Sequence, residues 1–216
     1  MNQPTHPTGA RTASTLTRLR AMAPQRGLDL DEALRIAERQ ATLLLTLSGV
    51  TDGPVPLSIL TDLPRIQIDT EPDLPSSGMS YWNGEVWRLI AHADEHPTRQ
   101  RFSLAHEYKH VIDHPSRDLL YPDHRTREQI ADHFAACLLM PKRLVIRAWC
   151  AGEQNLATLA DLFAVSPQAM ERRLLELRLL DLPRLSGYTC TRGRTALPSA
   201  RSFAIAGSNP IHGGSA

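Results

Sequence analysis

At 216 residues, with 42% apolar and 22% charged side chains, the chain has the composition of an ordinary soluble globular protein, sized for one catalytic domain with a small appendage. A formal net charge of +1 excludes bulk attraction to nucleic acid or a membrane surface, and no segment nears the apolar length of a bilayer span, Leu43 to Leu47 being far too short. Cys137, Cys150 and Cys190 are odd in number and widely spaced, with no C-x-x-C pair, which suits a reducing cytosol and predicts a cytoplasmic protein.

In chain order, residues 1–27 read as a flexible arm. Met1 to Ser14 is polar, contains Pro4, Pro7 and Gly9, and lacks the apolar core of a secretion signal; a short helix fits Leu16 to Met22. Residues 28–148 carry the pattern of an α+β domain. An amphipathic helix starts at Asp29 or Asp31, sets Ala33, Leu34, Ala37, Ala41, Leu44 and Leu45 at helical spacing, with Leu30 on the same face, and stops near Ser48-Gly49. Pro56 to Leu63 reads as a short helix and Arg65 to Asp69 as a strand. Gly78 to Trp82 and Glu85 to Ile90 flank Asn83-Gly84, the signature of a two-residue hairpin, and predict a small antiparallel sheet. An edge strand of that hairpin, residues 78 to 90, can pair with an extended peptide.

The next helix, entered at Pro97-Thr98 and stopped by Pro115, contains His106-Glu107-Tyr108-Lys109-His110. Histidines four apart share one helical face, so both imidazoles can reach one divalent ion. Glu107, turned about 100° around the axis, can touch a water at that ion without ligating it, the minimal apparatus of a zinc-dependent peptidase. A catalytic zinc takes three protein ligands and keeps one position open. The following segment, Glu128 to Pro141, offers Glu128 and Asp132 four apart on a helix that is otherwise apolar nearly all round. Glu128 can ligate; Asp132 can accept the N–H of a ligating histidine. The third histidine of a metzincin is absent, since Asp113 and Ser116 stand where that pattern needs Gly and His. His114 extends the row of His106 and His110 by one turn and can orient substrate, donate to an oxyanion or replace Glu128 as a ligand.

Arg99 to His110, followed by Glu128-x-x-Ala131-Asp132-x-Phe134-Ala135-x-x-Leu138-Leu139-Met140-Pro141, resembles the ImmA/IrrE family of bacterial and phage metallopeptidases over about residues 29 to 180. The resemblance implies a gluzincin-like site with His106, His110 and Glu128 on Zn²⁺ and Glu107 as general base. It also implies a protein substrate, a helix-turn-helix transcriptional repressor whose cleavage derepresses genes of a mobile element or a stress response. Asp132 stands where the family most often has Asn, and Tyr108-Lys109 replaces a commoner Leu-Gly, which places a cation near the metal face.

Residues 149–182 form a helix-turn-helix-like segment, two helices joined at Val165-Ser166 with Ser166 as N-cap and Pro167 in the first turn. Arg172, Arg173 and Arg178 lie on or near the second helix, but one module of neutral net charge without a dimerisation element argues against direct DNA contact. Residues 183–216, rich in Gly, Ser, Thr, Pro and Arg, read as a flexible tail. The expected architecture is therefore α+β: a zincin-like metallopeptidase domain with metal-binding helices, then the helix-turn-helix-like segment. Tyr81, His114, Tyr121, Arg125 and His133 are all candidates to donate to the oxyanion. The rival reading is a metal-stabilised regulatory or partner-binding protein that acts through residues 156 to 180 without proteolysis; Glu107 discriminates, because a structural metal has no use for a base beside an open position.

Overall fold

Asp29 starts the longest helix of the fold. In the computed structural model, which describes residues 14–61, 63 and 65–180, its side chain accepts from the Glu32 backbone N–H and caps α2 (Leu30–Leu47). Ala33, Ile36, Ala37, Ala41, Leu44 and Leu45 form its buried stripe, whereas Leu30 is left exposed at the first turn. The predicted stop holds: Gly49 adopts φ +67° immediately after the Ser48 cap. Ahead of α2, residues expected in the flexible arm form α1 (Thr15–Arg20), whose Leu19 is fully buried. Arg20 donates to the backbone oxygens of Val111 and Ile112, a cation on a helix C-terminus. Residues 1–13 and the expected tail from 183, with Cys190, lie outside the described residues.

After the short α3 (Ser58–Thr61) come β1 (Ile66–Glu71), β2 (Gly78–Trp82) and β3 (Trp87–His92), in sheet order β1-β3-β2. The hairpin β2–β3 is antiparallel, with Ser80 opposite Leu89, but β1 runs parallel to β3, with Ile68 opposite Leu89, so the sheet is mixed rather than purely antiparallel. The turn is also wider than two residues. Trp82 pairs with Trp87, and Asn83 Oδ1 accepts from the backbone N–H groups of both Glu85 and Val86, the local side-chain bonding that lets Asn shape a turn.

One face of the sheet lies on α4 (Pro97–Asp113), the helix of the two histidines. The approach is tight at Gly78, where an added Cβ would stand 3.1 Å from Ser103 Cβ and 3.2 Å from Glu107 Cγ. On its other side α4 meets α6 (His124–Leu139), with Tyr108 and Phe134 rings 6.3 Å apart, and α2 packs along α6. Between them lie α5 (Arg117–Leu120) and the loop bearing Tyr121.

Lys109 does not face the metal side of α4. It is 1% exposed, and its Nζ donates to Asp113 Oδ1 at 2.6 Å, Gln40 Oε1 at 2.8 Å and Tyr121 Oη at 3.3 Å, while Tyr121 donates to Asp113 Oδ2 at 2.6 Å. Burial pulls the ammonium below its usual range, and only Asp113 opposes that. Asp113→Ala, which leaves this cation without its carboxylate, is expected to lower the unfolding free energy by about 3–5 kcal/mol, read from urea denaturation. Replacing both members together by apolar side chains of similar volume should cost far less; equal losses would contradict the buried-pair account.

The described residues end with α7 (Lys142–Cys150), α8 (Leu156–Phe163) and α9 (Pro167–Glu176). Ala164 is left-handed (φ 50°) at the α8 C-cap, and Ser166 caps α9 by accepting from the Ala169 N–H, the predicted helix-turn-helix connection. Arg101 of α4 ties this turn down, donating to the backbone oxygens of Ala164 and Val55. Arg173, placed by the sequence on or near the second helix of that motif, is 2% exposed and donates to Met140 O and Glu176. Arg172 and Arg178 stay exposed. Among the described residues no helix is long and apolar enough to cross a membrane.

Candidate metal centre

The helical period brings His106 and His110 together on α4, and the packing of α4 on α6 brings Glu128 to them. His106 Nε2 lies 3.0 Å from His110 Nε2 and 3.2 Å from Glu128 Oε2, and His110 Nε2 lies 3.4 Å from Glu128 Oε1. Donors held about 2.0–2.1 Å from one tetrahedral ion stand roughly 3.3 Å apart, so this triangle fits a single zinc-sized cation. The three residues also form one of two groups of potential ligands among the described residues.

His106 is aimed by Asp132 of α6. His106 Nδ1 lies 2.8 Å from Asp132 Oδ1, so an N–H there leaves the Nε2 lone pair for the centre. That bond holds the Asp132 carboxyl below its ordinary range. For His106 itself burial works against protonation, but the Asp132 bond and the neighbouring carboxylates outweigh it and raise its pKa. His110 moves the other way, to about 4, through burial and the adjacent His106, which leaves it neutral and able to ligate at pH 7. Because Asp132 reaches the centre only through His106, Asp132→Ala is expected to weaken metal binding by about 10- to 100-fold, measured by competition with a chromophoric chelator. Unchanged affinity would mean that the ring needs no carboxylate to hold it.

Glu107 sits beside this triangle, not in it. Ser80 Oγ of β2 donates to Glu107 Oε2 at 2.7 Å, fixing one carboxylate oxygen and leaving the other for chemistry. Burial raises its pKa, with the Ser80 bond opposing, which shifts the group toward the range useful to a general base. Glu107, His110 and Glu128 share a cavity of about 290 Å³ with Ser80, Trp87 and Arg127.

The other predicted residues go elsewhere. His114 borders that cavity but turns its ring edge-on to Trp87, centroids 4.8 Å apart, and stays out of the triangle. Tyr121 is committed to the Lys109–Asp113 network, Arg125 and Tyr81 are exposed, and His133 bonds to Cys137 and Glu176. Two residues of the site carry no sequence motif: Ser80, hidden in a strand, and Arg127. Arg127 lines the cavity, and its Nε has no hydrogen-bond partner among the described residues. Its place beside Glu128 is the one sequence signal that points to it.

Residues 72–175 match the family model of peptidase M78, described as an IrrE N-terminal-like domain. No curated protein matches the chain. Among solved structures it is similar to a Mycobacterium tuberculosis transcriptional regulator, with a TM-score of 0.50 and 19% identity. That likeness covers 81% of this chain but 55% of the other, so the chain spans about half that protein's length, and at this identity the likeness concerns the fold alone.

Proposed function

Through its IrrE-like domain the chain belongs to the ImmA/IrrE family of peptidases, and from that premise we propose that it is a zinc-dependent endopeptidase acting on a protein substrate. The observation that carries this reading is the position of Glu107: next to three converging donors, outside their triangle, with one oxygen pinned by Ser80. A purely structural metal would need no such base. The ligand set of two imidazoles and one carboxylate suits Zn²⁺ and leaves a position open.

An ion held by His106, His110 and Glu128 would polarise the scissile carbonyl and acidify a water beside it. Glu107 takes that water's proton and delivers it to the leaving amine. Arg127 presents a guanidinium to the same cavity and is the candidate for facing negative charge on the substrate oxygen. Strand β2 is an edge strand that also carries Ser80, so an extended peptide pairing along it would lie across the base; backbone pairing holds the peptide with little side-chain selectivity.

Family membership supports, as substrate, a helix-turn-helix transcriptional repressor whose cutting releases genes of a mobile element or a stress response. The direct test is to incubate the zinc-loaded chain with a small repressor encoded beside it and follow intact mass. One or two defined fragments that disappear with chelator are expected. A repressor left intact by the metal-loaded protein under every signal tried would favour the non-proteolytic alternative, in which the helices around residues 156–180 bind a partner.

A further inference from the structure

The second cluster of potential ligands among the described residues joins the far half of α6 to the end of α9: His133, Cys137 and Glu176. Its hydrogen bonds do not converge on one point. Cys137 Sγ is 3.4 Å from His133 Nε2, and Glu176 Oε1 is 3.0 Å from His133 Nδ1. Sulfur and carboxylate thus lie on opposite nitrogens of one ring, the order of nucleophile, base and orienting acid. A cation would also have to sit beside Arg173, whose guanidinium is close enough to Cys137 for the two to interact electrostatically.

Arg173 supplies the independent clue. The residue is 2% exposed; its Nη1 donates to Glu176 at 2.8 Å and its Nε to Met140 O at 3.1 Å, but Nη2 is buried with no partner among the described residues. A buried guanidinium N–H left unmatched costs free energy, and it is satisfied by an acceptor oxygen. Cys137 and Arg173 line the same cavity of about 860 Å³, which opens between α2 and α7 and gives a small molecule a route to a cysteine that is 3% exposed.

We propose that Cys137 is a reactive thiol site for hydroperoxides, activated by His133 and Glu176, with Arg173 as the donor to the oxygen placed on sulfur. In the reaction Sγ attacks one peroxide oxygen. An S–O bond forms as the O–O bond breaks, and the thiol proton, relayed through His133 Nε2, leaves with the departing oxygen as water or an alcohol. Sulfur is oxidised by two electrons to the sulfenic acid, the peroxide is reduced by two, and the orphan Nη2 gains its acceptor. The proposal stands apart from the peptidase reading, since none of these groups is a ligand of the first cluster.

The test treats the full native chain with hydrogen peroxide, traps sulfenic acid with dimedone, and reads the adduct on the Cys137 peptide by mass spectrometry. The reference is the same peptide in the urea-unfolded chain. A free thiol is only a few per cent ionised at neutral pH. Burial lowers the His133 pKa, but its bonds to Cys137 and Glu176 outweigh that and raise it to about 9. The ring is thus a cation at Sγ that favours the thiolate and can accelerate the reaction by on the order of tenfold. Native Cys137 is expected to react about tenfold faster than unfolded Cys137, and the folded His133→Gln chain should lose that gain. Native labelling equal to or slower than unfolded labelling overturns the proposal on the wild-type chain alone, whether or not His133→Gln folds. A cobalt–thiolate charge-transfer band that vanishes in Cys137→Ser, with the thiol then protected from peroxide, would overturn it in favour of a metal site.

Discussion

Glu107→Gln is expected to abolish peptide hydrolysis while leaving fold and metal content unchanged. The amide keeps the size and helix propensity of the side chain, and its oxygen can still accept from Ser80 Oγ, so the local packing at Gly78 and β2 has no reason to shift. Metal content should hold because Glu107 lies outside the triangle of His106, His110 and Glu128. What disappears is the ability to take a proton, and with it the roughly 10²- to 10⁴-fold contribution of general base catalysis. The measurement is a time course of repressor cleavage by the zinc-loaded variant, beside metal analysis and a thermal melt. A catalytically dead protein that still binds should retain its uncut substrate, which makes this variant suitable bait for an unidentified one. Wild-type cleavage by Glu107→Gln would end the role of Glu107 as general base, and loss of metal would move Glu107 into the ligand set.

The parts of this molecule that local periodicity controls were legible in the sequence. His106 and His110, Glu128 and Asp132 are i, i+4 pairs, and the apolar residues between them state which helices are buried; the structure brings three of the four together and sets the fourth behind His106. Long-range partners were not legible. Lys109 was read as a cation near the metal face because its partners Gln40 and Tyr121 come from α2 and from the loop after α5, and only the adjacent Asp113 was visible as an i, i+4 mate. The burial of Arg173 was hidden for the same reason, since Met140 O lies 33 residues away in the chain. The parallel direction of β1 depends on how the segment between β1 and β2 crosses, which no turn signal specifies. Ser80 shows the limit for the site itself. A serine in a strand carries no motif, yet it touches the proposed base.

Glu128→Ala tests whether α6 completes the metal site. Loss of one of three protein ligands should weaken binding by more than the roughly 100-fold ceiling expected for Asp132, which acts only through His106. Nothing nearby is placed to take over. His114 is stacked edge-on to Trp87, His133 is held by Cys137 and Glu176, and His124, 3.4 Å from Glu128, is largely exposed. The consequence extends to stability, because an ion that binds only the folded chain stabilises it by about 4 kcal/mol at 1,000 times its Kd. For a domain of this size that is roughly a 10 °C rise in Tm. Wild-type protein stripped with chelator should therefore melt well below the zinc-loaded form, and Glu128→Ala should melt at one temperature with or without zinc at the same concentration. The variant's metal-free Tm should stay near that of metal-free wild type, since Glu128 is only partly buried and makes no contact that the core requires. A full zinc-dependent shift in Glu128→Ala would show that the third ligand lies elsewhere, and that the packing of α4 on α6 does not serve to close a catalytic site.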